Sequence, residues 1–240
     1  MLRLRCTVFA AAQVALTVVW ALLSLLTAPL PPLGRYRVIT AWSRMVLWLV
    51  EHVCGVRYRV IGGENIPAGP CVVLAKHQSA WETLAFQRIF PPQVWVLKRE
   101  LLKVPFFGWG LAMLRPIAID RGAGRAALTQ LVEQGRDRLD LGLWIVIFPE
   151  GTRTAPGARG TWHAGGAWLA TKTGAPVVPV AHNAGTVWPR NAFLKHPGTI
   201  TVSIGPAIDP TGLKAEALNR RVSQWVEEEA ARLGSARQDS

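Results

Sequence analysis

Residues 71–77 read Cys-Val-Val-Leu-Ala-Lys-His, an apolar run of five residues that ends in two ionisable side chains. Apolar residues at consecutive positions are typical of a β-strand that is covered on both faces, whereas a half-exposed strand alternates apolar and polar residues. A helix-like pattern over residues 80–90 follows after a short polar turn. This order of strand, polar turn and helix is the repeating unit of an α/β domain.

The same unit recurs over most of the remaining chain. Further apolar runs that predict strands lie at residues 56–61, 94–97, 116–119, 144–148, 177–181 and 199–204. Longer patterns that predict helices lie at residues 122–141, 162–173 and 213–233. This alternation predicts an α/β fold with a mostly parallel sheet flanked by helices, in a domain that covers residues 56–240.

Polar or ionisable residues follow five of the predicted strands at their carboxyl ends. They are Lys76 and His77, Lys98, Asp120 and Arg121, residues 149–153, and His182 and Asn183. In open parallel sheets the ligand lies along the edge that the carboxyl ends of the strands form. We therefore expect these side chains to line one cleft that contains a histidine, carboxylates and several cations.

His77 and Glu82 are the pair with the clearest chemical meaning in this cleft. On one continuous helix, residues five positions apart lie about 140° apart around the axis, so these two side chains would not meet. If His77 instead lies in the loop and the helix begins near Ser79, the imidazole can fold back over the first turn and bond to the carboxylate. That arrangement is the base and the orienting acid of a catalytic triad without its nucleophile. The spacing Ser79-x-x-Glu82 also predicts a helix capping box, and the two roles are compatible.

Four motifs, in order along the chain, resemble those of the glycerolipid acyltransferase family. His77-x-x-x-x-Glu82 is similar to the first motif, in which the acid is usually aspartate. Residues 98–121 resemble the second motif, residues 148–153 the third and residues 177–181 the fourth. The resemblance implies that His77 and Glu82 are the catalytic residues of an acyltransferase.

The resemblance also implies how the acceptor substrate binds. The third motif is expected to hold a glycerol phosphate, and two further cations are candidate ligands of the same phosphate. The predicted substrate-binding residues are Lys98, Arg121, Glu150, Gly151, Thr152 and Arg153. Glycine permits a tight turn with a close backbone approach, and arginine offers a planar donor fork that suits phosphate.

The reaction that the resemblance implies is transfer of a fatty acyl group from acyl-CoA or acyl carrier protein. Its acceptor is the free hydroxyl of 1-acylglycerol 3-phosphate (lysophosphatidic acid), and its product is phosphatidic acid for phospholipid synthesis. The sequence contains no Gly-x-Ser-x-Gly nucleophile motif, no Gly-x-x-x-x-Gly-Lys phosphate loop and no metal-spaced His/Cys cluster. We therefore expect direct transfer with His77 as the base, and neither a cofactor nor a metal. Another lyso-lipid acceptor, such as a lyso-aminolipid, fits the same residues.

Residues 1–55 are predicted to anchor the protein to a membrane. Residues 6–34 contain no charged side chain, and a helix from Cys6 to Leu30 would be about 37 Å long, enough to cross a hydrocarbon core of about 30 Å. Residues 38–52 read as an amphipathic interfacial helix. A true span and a two-helix hairpin within one leaflet both fit this pattern. A cleaved signal peptide fits less well, because the apolar run is longer than usual and no Ala-x-Ala site closes it.

The charge of the chain indicates the kind of partner it meets. A net charge of +12 and a mean hydropathy of +0.22 favour anionic membrane lipid and phosphorylated substrates, and we expect no nucleic acid. We expect the inner (cytoplasmic) membrane, with the catalytic domain facing a cytoplasm that keeps the three cysteines reduced. A non-catalytic, basic membrane-binding module would explain the charge and the anchor, but it needs neither the His77–Glu82 pair nor residues 148–153.

Overall fold

A single sheet forms the centre of the fold. The computed structural model describes residues 1–235, apart from the side chain of residue 121. The strands within this range are β1 (Val56–Ile61), β2 (Val72–Ala75), β3 (Gln93–Lys98), β4 (Ile117–Ile119), β5 (Trp144–Ile147), β6 (Val177–His182) and β7 (Gly198–Ile204). They lie in the order β1-β7-β6-β2-β5-β3-β4. Among these neighbours β6 and β7 pair antiparallel and the other pairs are parallel, which confirms the predicted sheet.

Helices cover the sheet on both sides. Within residues 1–235 they are α1 (Leu2–Leu25), α2 (Pro32–Cys54), α3 (Trp81–Ile89), α4 (Phe107–Met113), α5 (Arg125–Asp140), α6 (Gly165–Thr173), α7 (Ala184–Val187) and α8 (Ala215–Ser235). The patterns over residues 80–90, 122–141, 162–173 and 213–233 predicted α3, α5, α6 and α8. Helix α4 was not predicted, because its Gly108 and Gly110 have low helix propensity.

The two faces of the sheet pack into two apolar cores. Val73 of β2 packs with α2 and α3 on one face, and Val72 and Leu74 pack with α6 and α8 on the other. Successive residues of a strand point to opposite faces. Every residue of a strand that is covered on both sides must therefore be apolar. This is why the apolar run before His77 is not interrupted by polar residues.

The N-terminal helices α1 and α2 form a hairpin. The indole Nε1 of Trp20 in α1 donates to the carbonyl oxygen of Val38 in α2 over 3.0 Å. Helix α1 reaches a mean hydropathy of 2.1, and it is long and apolar enough to cross a membrane by length and composition. Its exposed large apolar side chains include Leu4, Val8, Val14, Val19, Leu22, Leu23 and Leu25.

Helix α2 also belongs to the apolar core between the sheet and α3. Its Val46 and Val50 are fully buried, in the same apolar core as Trp81 and Ala85 of α3. Part of α2 thus packs against the sheet domain, and the division into residues 1–55 and 56–240 stays a prediction. The anchoring role of residues 1–55 stays a prediction.

Candidate active site

The candidate site lies at the carboxyl ends of three adjacent strands, β5, β2 and β6. His77 follows β2, Glu150 follows β5, and His182 is the last residue of β6. The backbone N–H of His77 donates to Glu150 Oε2 over 2.8 Å, and the His182 ring bonds to the carbonyl oxygen of Lys76 over 2.8 Å. The polar residues at these three strand ends therefore meet at one edge of the sheet.

The His77 ring bonds directly to Glu82. His77 Nδ1 lies 2.9 Å from Glu82 Oε1, because His77 lies in the loop and α3 begins four residues later, at Trp81. A carboxylate can only accept, so Nδ1 carries the proton of the neutral imidazole and Nε2 is left as the basic nitrogen. The imidazole keeps 14% of its surface exposed, whereas the Glu82 side chain is fully buried.

Glu82 also holds the turn that leads into α3. Its Oε1 accepts from the backbone N–H groups of Gln78 and Ser79 over 2.8 and 2.7 Å. The bond to Ser79 is half of the capping box that the sequence suggested, whereas the Ser79 hydroxyl accepts from the N–H of Trp81 instead of completing the box. The catalytic and helix-capping interpretations of Glu82 are thus compatible in the structure.

A second histidine, His182, lies behind this acid. Its Nε2 is 2.8 Å from the Lys76 carbonyl oxygen, its Nδ1 accepts from the N–H of Ala184 over 3.2 Å, and Nε2 is 4.0 Å from Glu82 Oε1. These partners require a neutral ring with the proton on Nε2. The sequence showed His182 at a strand end but gave it no role, because its partners come from distant parts of the chain.

Burial and pairing set the protonation states of these groups. Burial raises the pKa of the Glu82 carboxyl, but the interaction with His182 and the hydrogen bond from His77 outweigh burial and hold this pKa below its ordinary value. Burial lowers the pKa of His182, and the nearby Glu82 offsets this effect only in part. Near neutral pH, Glu82 is therefore ionised and His182 is neutral.

Three further contacts fix His77. The ring of Phe148 stacks on the imidazole at a centroid distance of 4.1 Å and an interplanar angle of 16°. Glu150 accepts from the His77 N–H, and the N–H of Thr154 donates to the His77 carbonyl oxygen over 2.8 Å. The turn that follows β5 thus holds the main chain of His77 from both sides.

Glu150, a predicted substrate-binding residue, contacts neighbouring protein groups through both carboxylate oxygens. It is 5% exposed. Its Oε1 accepts from Lys76 Nζ over 2.8 Å and from Thr154 Oγ1 over 3.0 Å, and its Oε2 accepts from the His77 N–H. Glu150 therefore supports the main chain of His77, and its contact with the acceptor substrate stays a prediction.

The other predicted substrate-binding residues fall into two groups. Lys98, Gly151 and Arg153 line, together with His77, a cavity of about 340 Å³. Thr152 is exposed and is not among the residues that line it. Arg121 begins a 3-10 turn directly after β4, and its side chain lies outside what the structure describes.

Within the cavity, Gly151 and Arg153 have features that suit an anion. Gly151 has a φ of +66°, a conformation that favours glycine and lets the backbone approach a ligand closely. Arg153 Nε is buried and has no hydrogen-bond partner among the described residues. The guanidinium therefore presents an unused donor near the cavity.

Much of the cavity lining is apolar and comes from the N-terminal helices and residues 106–114. The residues there include Trp20, Ala21, Ile39, Trp42, Phe106, Phe107, Leu111 and Leu114. The sequence did not predict that α1 lines the site, because its contribution depends on how α1 packs against α4. Among residues 1–235 no group of three His, Cys, Asp or Glu side chains could hold a metal ion.

His77 is a base held by a buried acid, and it lies at the polar end of a largely apolar cavity. This arrangement suits an enzyme that activates a hydroxyl of an amphiphilic substrate. The sequence model of the acyltransferase family matches residues 57–183. The chain belongs to the acyltransferase family, as its four motifs implied.

Individual relatives support this assignment. The 1-acyl-sn-glycerol-3-phosphate acyltransferase of Pseudomonas aeruginosa is 50% identical over 225 residues, which cover 92% of this chain and 88% of that protein. The protein of the same name from Saccharomyces cerevisiae is 32% identical over 149 residues, 58% of this chain and 46% of the yeast protein. The crystal structure of the 1-acyl-sn-glycerophosphate acyltransferase from Thermotoga maritima has the same fold at 23% identity, with a TM-score of 0.79 over 96% of this chain and 95% of that one.

Proposed function

We propose that this acyltransferase moves a fatty acyl group from acyl-CoA or acyl carrier protein to the free hydroxyl of 1-acylglycerol 3-phosphate, giving phosphatidic acid. The observation that carries the proposal is that His77, bonded to Glu82, and Arg153 share one cavity with a largely apolar lining. Such a cavity matches a substrate with a reactive hydroxyl, a phosphate and an acyl chain. The P. aeruginosa relative, 50% identical, carries the name of this activity.

His77 is the proposed general base. Its Nε2 takes the proton of the acceptor hydroxyl, whose oxygen attacks the carbonyl carbon of the thioester. The carbon–sulfur bond then breaks, and the departing thiolate takes the proton from His77. Glu82 holds the Nδ1–H and stabilises the imidazolium that forms during the attack. A base positioned in this way contributes about 10²–10⁴-fold to the rate.

Arg153 is the proposed main ligand of the acceptor phosphate. Its buried Nε lacks a partner among the described residues, and an unsatisfied buried donor costs about 1–3 kcal/mol. A phosphate in the cavity would satisfy this donor and pair with the charge. Lys98, which lines the same cavity, supplies a second cation. Arg121 is proposed as a third from its position alone, two residues after Ile119, which is the register partner of Lys98.

We propose that residues 1–55 hold the enzyme on the inner membrane, with the catalytic domain facing the cytoplasm. Helix α1 exposes many large apolar side chains, and a net charge of +12 suits anionic lipid headgroups. Cys6, Cys54 and Cys71 are free thiols, which suits a reducing compartment. Because α1 and α2 also line the cavity, a lipid acceptor would reach His77 directly from the membrane.

An acyl-transfer assay over a panel of acceptors tests this function. The panel compares lysophosphatidic acid, the matching monoacylglycerol without phosphate and a lyso-aminolipid, each with acyl-CoA and with acyl carrier protein as the donor. We expect lysophosphatidic acid to exceed the monoacylglycerol by about tenfold or more in kcat/KM, since one charge-assisted contact contributes about 1.5–3 kcal/mol.

Two histidine variants complete the test. His77→Ala is expected to abolish transfer while the protein stays folded by circular dichroism. His163→Ala is the matched control, because His163 is exposed and is not among the cavity-lining residues. Turnover in His77→Ala at the wild-type level would remove His77 as the base. A preference for the lyso-aminolipid would replace the proposed acceptor.

A further inference from the structure

Lys76, the residue before His77, is a buried lysine held between two carboxylates. It is 1% exposed. Its Nζ lies 2.8 Å from Glu150 Oε1, 2.7 Å from Glu227 Oε1 and 3.1 Å from the Ala158 carbonyl oxygen. An ammonium group has three donors, so each of them is matched by an oxygen.

Glu227 brings the C-terminal helix to this lysine. It lies on α8, 151 positions from Lys76 in the sequence, and its side chain is 15% exposed. The same Oε1 also accepts from the indole N–H of Trp162 over 2.9 Å. The next two acids of the helix pair elsewhere, because Glu228 accepts from Gln224 and Glu229 from Arg232.

The contacts of Lys76 continue directly to the proposed base. Glu150 binds the Lys76 ammonium through Oε1 and the His77 N–H through Oε2. The Lys76 carbonyl oxygen accepts from His182. The peptide group between Lys76 and His77 is therefore fixed at its oxygen by His182 and at its N–H by Glu150. The Lys76 side chain adds a third contact, also to Glu150.

Stability alone is a poor explanation for this arrangement. Taking charges out of water is costly, and apolar residues of similar volume often stabilise a core as well as a buried ion pair does. Short, directional hydrogen bonds also fix the position of the main chain. A misplacement of a reacting group by about 1 Å can cost about 10²-fold in rate.

We propose that Glu227 is a positioning residue for catalysis and that it acts through Lys76 and Glu150 on His77. It touches neither substrate nor the reacting atoms. The C-terminal helix α8 thus contributes to turnover from outside the segment that carries the four motifs. This inference rests on the proposed role of His77 as the base.

The test replaces Glu227 in the full-length enzyme. Glu227→Ala removes the acceptor for Lys76 and Trp162, and we expect kcat to fall about 10- to 100-fold with KM for either substrate changed by less than about twofold. Glu227→Gln keeps an amide oxygen at the same reach, so it should rescue kcat to within about threefold of the wild type. Glu228→Ala, one position along on the exposed side of α8, is the control and should leave kcat unchanged.

The outcomes separate positioning from a structural role and from a failure of the proposed function. A kcat of Glu227→Ala within about twofold of the wild type overturns the inference. The inference is also overturned if the loss of activity in Glu227→Ala appears in KM or follows a lower fraction of folded protein. It is overturned as well if Glu227→Gln loses as much activity as Glu227→Ala. His77→Ala is measured beside these variants. If His77→Ala and Glu227→Ala both retain turnover, the proposed base is wrong. If His77→Ala loses turnover and Glu227→Ala retains it, only the role of Glu227 fails.

Discussion

Replacing Glu82 with aspartate tests the geometry of the site, because the substitution keeps the charge and changes only the reach. Glu82 Oε1 receives three N–H groups at 2.7–2.9 Å, from His77, Gln78 and Ser79, in a fully buried position. Aspartate is shorter by one methylene, a carbon–carbon bond of about 1.5 Å. A retreat of even about 1 Å would stretch the His77 contact beyond about 3.6 Å, which is no longer a hydrogen bond.

The size of the expected effect follows from that lost bond. A hydrogen bond to a charged group has a net value of about 1.5–3 kcal/mol. If the imidazolium loses it in the transition state, kcat falls by about 10- to 150-fold, since about 1.4 kcal/mol corresponds to a factor of ten. The family resemblance alone suggests the opposite result, because aspartate is the usual acid of the first motif.

Steady-state kinetics with lysophosphatidic acid and an acyl donor measure the effect. Glu82→Gln, which keeps the reach and removes the charge, separates the two contributions. Glu133→Asp on the exposed side of α5 controls for the lower helix propensity of aspartate. If Glu82→Asp keeps half or more of the wild-type kcat, then α3 adjusts to the shorter side chain, and the argument from reach is refuted.

Three further expectations concern the phosphate, the pH and the N-terminus. Arg153→Ala should raise KM for lysophosphatidic acid about tenfold or more, equivalent to about 1.4 kcal/mol, with donor KM unchanged, and Arg153→Lys should recover only part of it. An equal effect on phosphate-free acceptors would count against the phosphate assignment. Because burial lowers the pKa of His182, the unfolded chain binds a proton that the folded one does not, so the urea midpoint should fall as pH drops below about 6.5. His182→Gln should flatten that fall, and an unchanged slope would show that other groups cause it. An enzyme that starts at Val56 loses Val46 and Val50 from its core, so we expect it to aggregate even in detergent. A soluble, folded product in circular dichroism would show that α2 is dispensable.

The strands could be predicted because burial on both faces leaves a local signal. Each residue of β2 meets one of two apolar cores, so the run is apolar at every position. Helix α4 could not be predicted, because its start at Phe106 requires a φ of +60° and two of its seven residues are glycine. Its place is set by contacts with α1, which no local pattern records.

In the site, too, contacts between residues close in the sequence could be predicted, whereas contacts between distant residues could not. His77 and Glu82 are five positions apart, so one turn of chain determines whether they meet, and they could be paired from the sequence. The contacts of Glu150 could not be predicted, because its partners Lys76 and His77 lie more than 70 positions away. Glu227 had no signal at all, since an acid on an amphipathic helix looks like any solvated charge.

The pairing of β1 with β7 has a consequence for synthesis of the chain on the ribosome. Val56 pairs with Gly198, and at about 5–20 residues per second the segment between them takes about 7–30 s to translate. During that interval β1 has no partner, although its neighbour α2 is already complete. Arg57 and Arg59 alternate along the unpaired strand, and charged side chains on a strand edge discourage pairing with other chains. We therefore expect these two arginines to disfavour pairing of β1 with other chains before β7 is made.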